Sequence, residues 1–202
     1  MPTKSLEQTL VLIKPDAMKN SLTGYILSVL SEFHTGLRFA ALKIVDVNRI
    51  LAEEHYAEHK GKAFFPSLLE YITGQIHYPN DAWKRRVVAI VYQGEDAIQT
   101  IRKIAGNTNP HIARDEKPGC IRALGTVVAI KDAAGNIISD RLDNLIHASA
   151  NKEDAEKESN SGSSPMTYHL LCSLILQLSA KSITISRMEN YCFLTNRTAS
   201  VS

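Results

Sequence analysis

The chain has 202 residues, 44% of them hydrophobic and 22% charged, which excludes a fibrous or wholly disordered protein and fits one globular domain with an appendage. The formal net charge is +2, from 23 Lys and Arg against 21 Asp and Glu, so the overall field gives no reason to expect a polyanionic partner. Any contact with phosphate must therefore be local.

Apolar segments and cysteines indicate the compartment. The first apolar segment, 10–13, is too short for a signal peptide, and the longest one, 170–178, falls short of the roughly 20 residues of a membrane helix. The cysteines form no CxxC pair and no zinc spacing; they are Cys120, Cys172 and Cys192. We therefore expect a cytoplasmic protein.

Hydrophobic periodicity predicts alternating strands and helices along the first three quarters of the chain. Residues 9–13 are an apolar run typical of a strand buried on both faces. A helix ending at Gly36 is predicted from four apolar residues at helical spacing, Ile26, Val29, Leu30 and Phe33. Strand chemistry returns at 39–47.

The later elements complete a recognisable order. We expect helices at 50–59, 66–72 and 96–105, strands at 87–92 and 123–130, and a loop at 107–119. The resulting order of strand, helix, strand, helices, strand, helix and strand matches the split β-α-β arrangement. We therefore predict an α+β, ferredoxin-like sandwich with a four-stranded antiparallel sheet covered by helices.

The composition changes abruptly after Glu158. Residues 159–164 are Ser, Asn and Gly, which is the composition of a linker, and the sequence beyond them has no clean period. We expect a domain at 1–158 and a poorly ordered tail at 159–202.

Seven short motifs within residues 8–158 carry a specific resemblance. In chain order they are Ile13-Lys14-Pro15-Asp16, His55-Tyr56, Phe64-Phe65, Thr108-Asn109-Pro110, Lys117-Pro118-Gly119, Ile121-Arg122 and the run 144–149. Their identity and order resemble the landmarks of nucleoside diphosphate kinases. The resemblance implies a cytoplasmic catalytic domain that transfers the γ-phosphate of a nucleoside triphosphate to a nucleoside diphosphate through a phosphohistidine, in a ping-pong cycle. It also implies a homo-oligomer, hexameric or tetrameric, and Mg²⁺ held mainly by the nucleotide phosphates.

Cationic side chains must bind the phosphates, because no GxxxxGK[ST] segment offers backbone amides. Lys14, Arg102 and Arg122 each lie beside a strand or helix end, where fixed cations can stabilise a transferring phosphoryl group. The resemblance assigns all three to nucleotide binding, and Lys14 to catalysis as well. It likewise makes Thr108 a phosphate-binding residue.

The resemblance identifies His147 as the nucleophile. Imidazole suits this role because its ordinary pKa of about 6.5 leaves it mostly neutral and nucleophilic at pH 7. The alternative is that His147 is an ordinary surface or core histidine, and the surrounding motif is what favours the catalytic interpretation. No residue is assigned as a metal ligand.

Five further assignments follow from the resemblance. Ser149 and Glu158 orient the histidine, and Tyr56 lies near the catalytic lysine. Phe64 stacks on the base, which tolerates every base because each has a π face, and Asn144 contacts the sugar hydroxyl. The alternatives are a helix cap for Ser149, a solvated carboxylate for Glu158, and packing roles for Tyr56 and Phe64.

The sequence departs from the family in three places. Ala150 stands where the family has an aspartate that assists the nucleotide-bound magnesium. The segments 75–85 and 131–143 are longer than the usual connections, so a second base-contacting position has no assignment. The family's aromatic, acidic C-terminal segment is absent after Glu158.

Two other functions are alternatives to the kinase. Ala150 and the divergent tail motivate a catalytically impaired nucleotide-binding or regulatory module of the same fold. A nucleic-acid-binding sheet would need basic residues interleaved with exposed aromatic residues, whereas the predicted strands are apolar. We therefore expect no specific nucleic acid and no membrane partner.

Overall fold

The structure, a computed structural model, describes residues 6–159, except for the side chains at 157 and 159. Its strands are β1 (Leu6–Ile13), β2 (Arg38–Val45), β3 (Val87–Glu95), β4 (Thr126–Lys131), β5 (Ile137–Asp143) and β6 (Ile146–Ala148). Its α-helices are α1 (Pro15–Lys19), α2 (Thr23–Val29), α3 (Glu32–Thr35), α4 (Arg49–His55), α5 (Phe65–Ile72), α6 (Ala97–Ala105), α7 (Pro110–Glu116) and α8 (Lys152–Ser159). The predicted tail beyond Ser159, with Cys172 and Cys192, lies outside the described residues.

One antiparallel sheet organises the domain. Its strand order is β2-β3-β1-β6, and every adjacent pair is antiparallel. This is the ferredoxin-like order, because the first and third strands occupy the middle of the sheet. The predicted fold class is confirmed.

Two apolar clusters cover the two faces of this sheet. Along β1, Val11 and Ile13 point into one cluster, which includes residues of α2 and α6. Leu10 and Leu12 point into the other, which includes residues of α4 and α5. Because successive side chains of a strand point to opposite faces, a strand covered on both faces must be apolar throughout, as the sequence indicated.

The fourth strand of the sheet is not the predicted one. The segment 121–124 forms a 3₁₀ turn, and β4 begins only at Thr126 and pairs only with β5. The edge position beside β1 belongs instead to β6. The six residues of β4 are exposed or half-buried, so they offer no continuous apolar face of the kind that a sheet covered by helices requires. In β6, by contrast, Ile146 and Ala148 are buried.

The long connection at 131–143 is largely a hairpin. Strand β5 fills half of it, and the turn between β4 and β5 is closed by the Asp132 carboxylate. Its Oδ1 accepts hydrogen bonds from the backbone amides of Ala134 (2.9 Å) and Asn136 (2.8 Å). Gly135 adopts a φ of 88°, which glycine tolerates at no steric cost.

The first predicted helix is broken into two. Leu30 caps the end of α2, and Ser31 takes an extended conformation in which its hydroxyl accepts from the His34 amide and begins α3. The break rotates Phe33 into solvent, where it is 92% exposed, so the prediction that it shares one helical face with Ile26 and Leu30 is wrong. Serine caps compete with continuous helix through such local hydrogen bonds. Gly36 ends α3 in the left-handed conformation, as predicted.

The predicted loop at 107–119 contains α7. The side chain of Asn109 accepts a hydrogen bond from the His111 amide at 2.9 Å, and Pro110 occupies the first helical turn. Asparagine followed by proline is a helix start signal that the apolar pattern did not carry. No helix within 6–159 is long and apolar enough to cross a membrane.

Candidate active site

A cavity of about 700 Å³ opens where β6, α8 and the loop after α4 meet. Nine of the ten residues nominated from the sequence line it: Lys14, Tyr56, Phe64, Arg102, Thr108, Arg122, Asn144, His147 and Glu158. The tenth, Ser149, is fully buried and contacts Glu158. Residues spread over more than 140 positions of sequence therefore converge on one site.

His147 is held by a short chain of hydrogen bonds. Its Nε2 lies 2.9 Å from Oε1 of Glu158, and the Ser149 hydroxyl donates to Oε2 of the same carboxylate at 2.6 Å. The Leu10 amide in turn donates to the Ser149 hydroxyl at 3.1 Å. Burial raises the pKa of the Glu158 carboxyl, but the charge and hydrogen bond of His147 lower it further, so the net pKa lies below the usual value. Glu158 is therefore a carboxylate that fixes the imidazole.

A strained backbone precedes the histidine. Leu145 has a φ of 69°, which is rare for a branched residue, yet its side chain is buried. Its amide donates to the Asp16 carboxylate at 2.9 Å, and its carbonyl accepts from the Lys14 amide at 2.9 Å. These two bonds hold β6 in the conformation that presents His147 to the cavity. Asp16 belongs to the motif Ile13-Lys14-Pro15-Asp16, but its sequence context indicated no role for it.

Lys14 lies almost completely buried at the base of the cavity. Its ammonium donates to the Oδ1 of Asn144 and lies 5.0 Å from the ring centroid of Tyr71. Burial lowers the pKa of Lys14 to about 8, because desolvation penalises the charged amine more than the nearby Asp16 carboxylate favours it. The nearby carboxylates therefore only partly offset the cost of burying the positive charge of Lys14.

Two arginines extend this positive region. Arg122 is 4% exposed and donates to the backbone carbonyls of Gly106 (2.9 Å) and Ile146 (3.3 Å), while its buried Nε has no hydrogen-bond partner among residues 6–159. Burial lowers the pKa of Arg122 to about 10. Arg102 on α6 approaches the Ser149 carbonyl at 3.5 Å. The rigid Arg122 and the less constrained Arg102 both face the cavity.

The adjacent side chains of Phe64 and Phe65 point to different places. Phe65 packs against the core cluster, as expected for an anchor. Phe64 lines the cavity instead, with the ammonium of Lys62 at 5.7 Å from its ring centroid. A core role alone therefore does not account for Phe64. Tyr56 does both: it is part of the core cluster and lines the cavity.

Asn144 connects Lys14 to the loop before α7. Besides accepting from Lys14, its side-chain amide donates to the Thr108 carbonyl at 2.7 Å. Thr108 itself is exposed and lines the cavity. Asn144 thus fixes the positions of the Lys14 ammonium and of the Thr108 backbone.

His55 is a neighbour of His147 and received no role from the sequence. Its ring meets the His147 ring edge to face, with centroids 4.9 Å apart. Burial lowers the pKa of His55 to about 3, with a smaller contribution from His147, so this imidazole is neutral at physiological pH. In the sequence, the only indication that His55 belongs to the site is its position directly before Tyr56 in the motif His55-Tyr56.

The two long segments, 75–85 and 131–143, contact each other beside the cavity. Arg141 of β5 donates to both oxygens of Asp143, at 2.6 and 3.1 Å, and His77 contacts the same carboxylate at 3.1 Å. Burial raises the pKa of Asp143, but its hydrogen bonds to His77 and Arg141 outweigh this and give a lowered value. Arg141 also lines the cavity. The hairpin therefore forms part of the wall, which spacing in the sequence could not reveal.

Comparison with known proteins agrees with this geometry. The family model described as nucleoside diphosphate kinase matches residues 7–162. A nucleoside diphosphate kinase of Pyrococcus furiosus is 41% identical over 153 residues, covering 76% of this chain and 80% of that protein. One from Thermus thermophilus is 37% identical over 153 residues, covering 76% and 92% of the two chains.

Solved structures give the same result. The Aquifex aeolicus nucleoside diphosphate kinase superposes with a TM-score of 0.59 at 33% identity, covering 76% of this chain and 92% of that one. The Borrelia burgdorferi enzyme, described as a transition state mimic with bound vanadate and ADP, superposes with a TM-score of 0.56 at 29% identity, covering 76% and 84%. The chain therefore belongs to the nucleoside diphosphate kinase family and is a phosphotransferase.

Proposed function

We propose that a nucleoside triphosphate phosphorylates Nδ1 of His147 and that a nucleoside diphosphate then removes the phosphoryl group. The contact between Nε2 and Glu158 carries this proposal, because it leaves Nδ1 as the nitrogen free to attack. In the first half-reaction the Nδ1 lone pair forms a bond to the γ-phosphorus, and the bond from that phosphorus to the bridging oxygen breaks. The diphosphate leaves with this electron pair, and the second half-reaction is the reverse with another diphosphate.

Glu158 stabilises the charge that develops on the imidazole. Forming the N–P bond makes the ring cationic, and a carboxylate 2.9 Å from Nε2 favours that state. The Ser149 hydroxyl fixes the second oxygen of the carboxylate, so Glu158 need not reorganise during transfer. Ser149 and Glu158 are thus positioning residues.

Cationic and polar side chains bind the nucleotide in this proposal. Lys14, Arg102 and Arg122 surround the phosphates with fixed charge, which is where most catalysis of phosphoryl transfer originates. Thr108 contributes a hydroxyl, Phe64 stacks on the base and Asn144 contacts the sugar. The Borrelia burgdorferi relative is described with bound vanadate and ADP, which supports the proposal that this chain binds nucleotide phosphates.

The test is a two-stage labelling experiment. Purified protein is incubated with γ-labelled ATP, freed of nucleotide, and then mixed with an unlabelled nucleoside diphosphate. Label should first attach to the protein and then appear in the new triphosphate. Protein that never acquires label would contradict the proposal, and label that does not leave would contradict the second half-reaction.

A catalytically impaired module is not indicated. The histidine, its carboxylate partner and the three cations all converge on one cavity. Ala150 is exposed and lines the cavity, and it takes no part in the hydrogen bonds that hold His147.

We expect Mg²⁺ to enter with the nucleotide, and Ala150→Asp to lower the magnesium concentration that gives half-maximal rate. Magnesium keeps several waters and binds mainly to substrate phosphates, so one added outer carboxylate should shift the requirement by about 10-fold at most. Asp154 also lines the cavity and can partly serve this role already, whereas Asp143 is engaged by His77 and Arg141. Magnesium titrations of both proteins check this, and superimposable curves would show that Ala150 is neutral.

The pH dependence of kcat/KM should reveal the buried lysine. Lys14 is protonated below its pKa of about 8 and neutral above it, so the phosphate-binding charge is lost as pH rises. We expect kcat/KM to fall above pH 8, approaching about tenfold per pH unit, because this parameter reports groups of the free enzyme. Steady-state rates from pH 6 to about 10 measure this effect. A profile that stays flat to pH 10 would contradict it.

The proposed domain ends at α8, and we expect a chain truncated after Ser159 to remain soluble. Both core clusters are built from described residues that precede this point. Size-exclusion chromatography and labelling with γ-labelled ATP check this. A matched truncation after Asn151 removes Glu158 and should greatly reduce labelling. Aggregation of the longer truncation would contradict the proposed boundary.

We also propose a cytoplasmic homo-oligomer, hexameric or tetrameric as the family resemblance implies. Strand β2 is the outer strand of the sheet and exposes Phe39, Leu42 and Ile44, which are 37%, 48% and 57% exposed. An exposed apolar strand edge favours pairing with another chain. Light scattering on the purified protein measures the oligomer size.

A further inference from the structure

Three side chains around the nucleophile offer ligand atoms to a single point. One atom from each of His55, His147 and Glu158 lies within 4.8 Å of the other two, and no metal ion is present. All three side chains are half-buried and line the cavity. The phosphotransfer proposal uses His147 and Glu158 but leaves His55 without a chemical task.

The chemistry of these donors selects a class of metal. Two imidazole nitrogens and one carboxylate oxygen are the ligand set of ions such as Zn²⁺, whereas Mg²⁺ prefers oxygen alone. Three protein ligands with a fourth position open to solvent are typical of zinc sites that bind water or substrate. The cavity supplies that opening.

The geometry requires a small contraction. In a tetrahedral site with bonds of about 2.0–2.2 Å, neighbouring donor atoms lie roughly 3.3–3.6 Å apart. Closing the widest separation of up to 4.8 Å therefore requires a movement of about 1 Å, which side-chain rotation can supply at half-buried positions. The neighbouring Lys14, Arg102 and Arg122 oppose a dication. We therefore expect an affinity below that of a closed structural zinc site.

We propose that His55, His147 and Glu158 form an inhibitory site for a borderline transition-metal ion such as Zn²⁺. Whichever nitrogen of His147 binds the ion, Nδ1 loses the free lone pair that would attack phosphorus: either the ion occupies that lone pair directly, or the ion binds Nε2 and the Nε2 proton moves to Nδ1. Metal binding and phosphorylation of His147 are consequently mutually exclusive. This consequence rests on the proposed function, whereas the metal site itself does not.

Cobalt titration of the nucleotide-free, full-length protein in the presence of Mg²⁺ tests the site directly. Co²⁺ replaces Zn²⁺ in such sites and gives visible absorption when bound in tetrahedral geometry. We expect one equivalent to bind, Zn²⁺ to displace it, and no thiolate charge-transfer band to appear. A spectrum with that band would assign the metal to cysteine and overturn the proposal.

Variants identify the ligands. His55→Asn should weaken Co²⁺ binding by about 10-fold or more, because losing a direct ligand costs at least as much as losing an outer-shell partner. His111→Asn, which removes an exposed imidazole elsewhere, should bind Co²⁺ like the wild type. Equal affinity in the wild type and His55→Asn would overturn the site. Glu158→Gln repeats the test if His55→Asn does not fold, as judged by circular dichroism.

A second experiment measures Co²⁺ binding to the phosphorylated protein. Protein labelled with ATP and freed of nucleotide should bind Co²⁺ much more weakly than unlabelled protein. Undiminished binding by the labelled protein would remove His147 from the site. If wild-type protein binds Co²⁺ as expected but takes no label from ATP, the proposed function fails while the metal site stands.

Discussion

Replacing His147 with alanine is expected to abolish the phosphoenzyme and to lower the rate of phosphotransfer by at least about 10⁴-fold. In the proposed cycle the imidazole supplies the only protein atom that forms a bond to phosphorus, and the geometry requires no second protein nucleophile. Alanine leaves the strand pairing of β6 intact, because Leu12 and residue 147 are joined through backbone groups. The fold should therefore survive the change.

The chemistry of the label distinguishes histidine from other acceptors. A phosphoramidate on imidazole hydrolyses in acid and survives in base, whereas phosphoserine survives acid. Wild-type label should be acid-labile, and His111→Ala, at an exposed position on α7, should label normally. Persistent label in His147→Ala would show that another residue is the nucleophile, with the buried Ser149 the first to examine.

Local sequence patterns predicted most of the fold, and their failures have identifiable causes. The apolar run of β1 and the helical spacing of apolar residues in α6 both arise because buried positions need apolar side chains, so these two elements can be predicted from the sequence. The break at Ser31 and the start of α7 at Asn109 depend on single capping side chains, whose signal is local and easily outweighed by an apolar pattern. The misplaced fourth strand arose because pairing partners are set by tertiary contacts.

The site shows a similar division. The ten nominated residues lie in or against one cavity. Eight of them belong to the seven motifs, Arg102 and Glu158 were nominated from the family resemblance, and the individual roles remain predictions. Asp16, which holds the strained backbone of Leu145, makes a contact across 129 positions that no local pattern encodes. Arg141 and His77 contact the same carboxylate, Asp143, only because the hairpin β4–β5 folds against the cavity. Contacts between distant segments are what the sequence alone left hidden.

Lys14→Met is expected to lower kcat/KM by about 10²-fold or more while the protein stays folded, since one positioned charge donor is typically worth that much. Methionine matches the length and apolar stem of lysine, and it removes a charge whose burial is already unfavourable, as its lowered pKa shows. The change leaves the Oδ1 of Asn144 without its donor, which costs about 1–3 kcal/mol of stability. The activity loss should therefore exceed what unfolding could explain.

Two comparisons separate this charge effect from structural damage. Lys19→Met removes an exposed lysine at the end of α1 and should leave kcat/KM unchanged. Arg122→Ala should also slow transfer. Because it leaves the carbonyls of Gly106 and Ile146 without their hydrogen-bond donor, it should lower Tm more than Lys14→Met does. The pH profile supplies a readout independent of stability: the fall in kcat/KM above pH 8 should disappear in Lys14→Met, because the titrating amine is gone. Equal rates in Lys14→Met and the wild type, or an unchanged alkaline limb, would show that Lys14 does not bind the transferring phosphate.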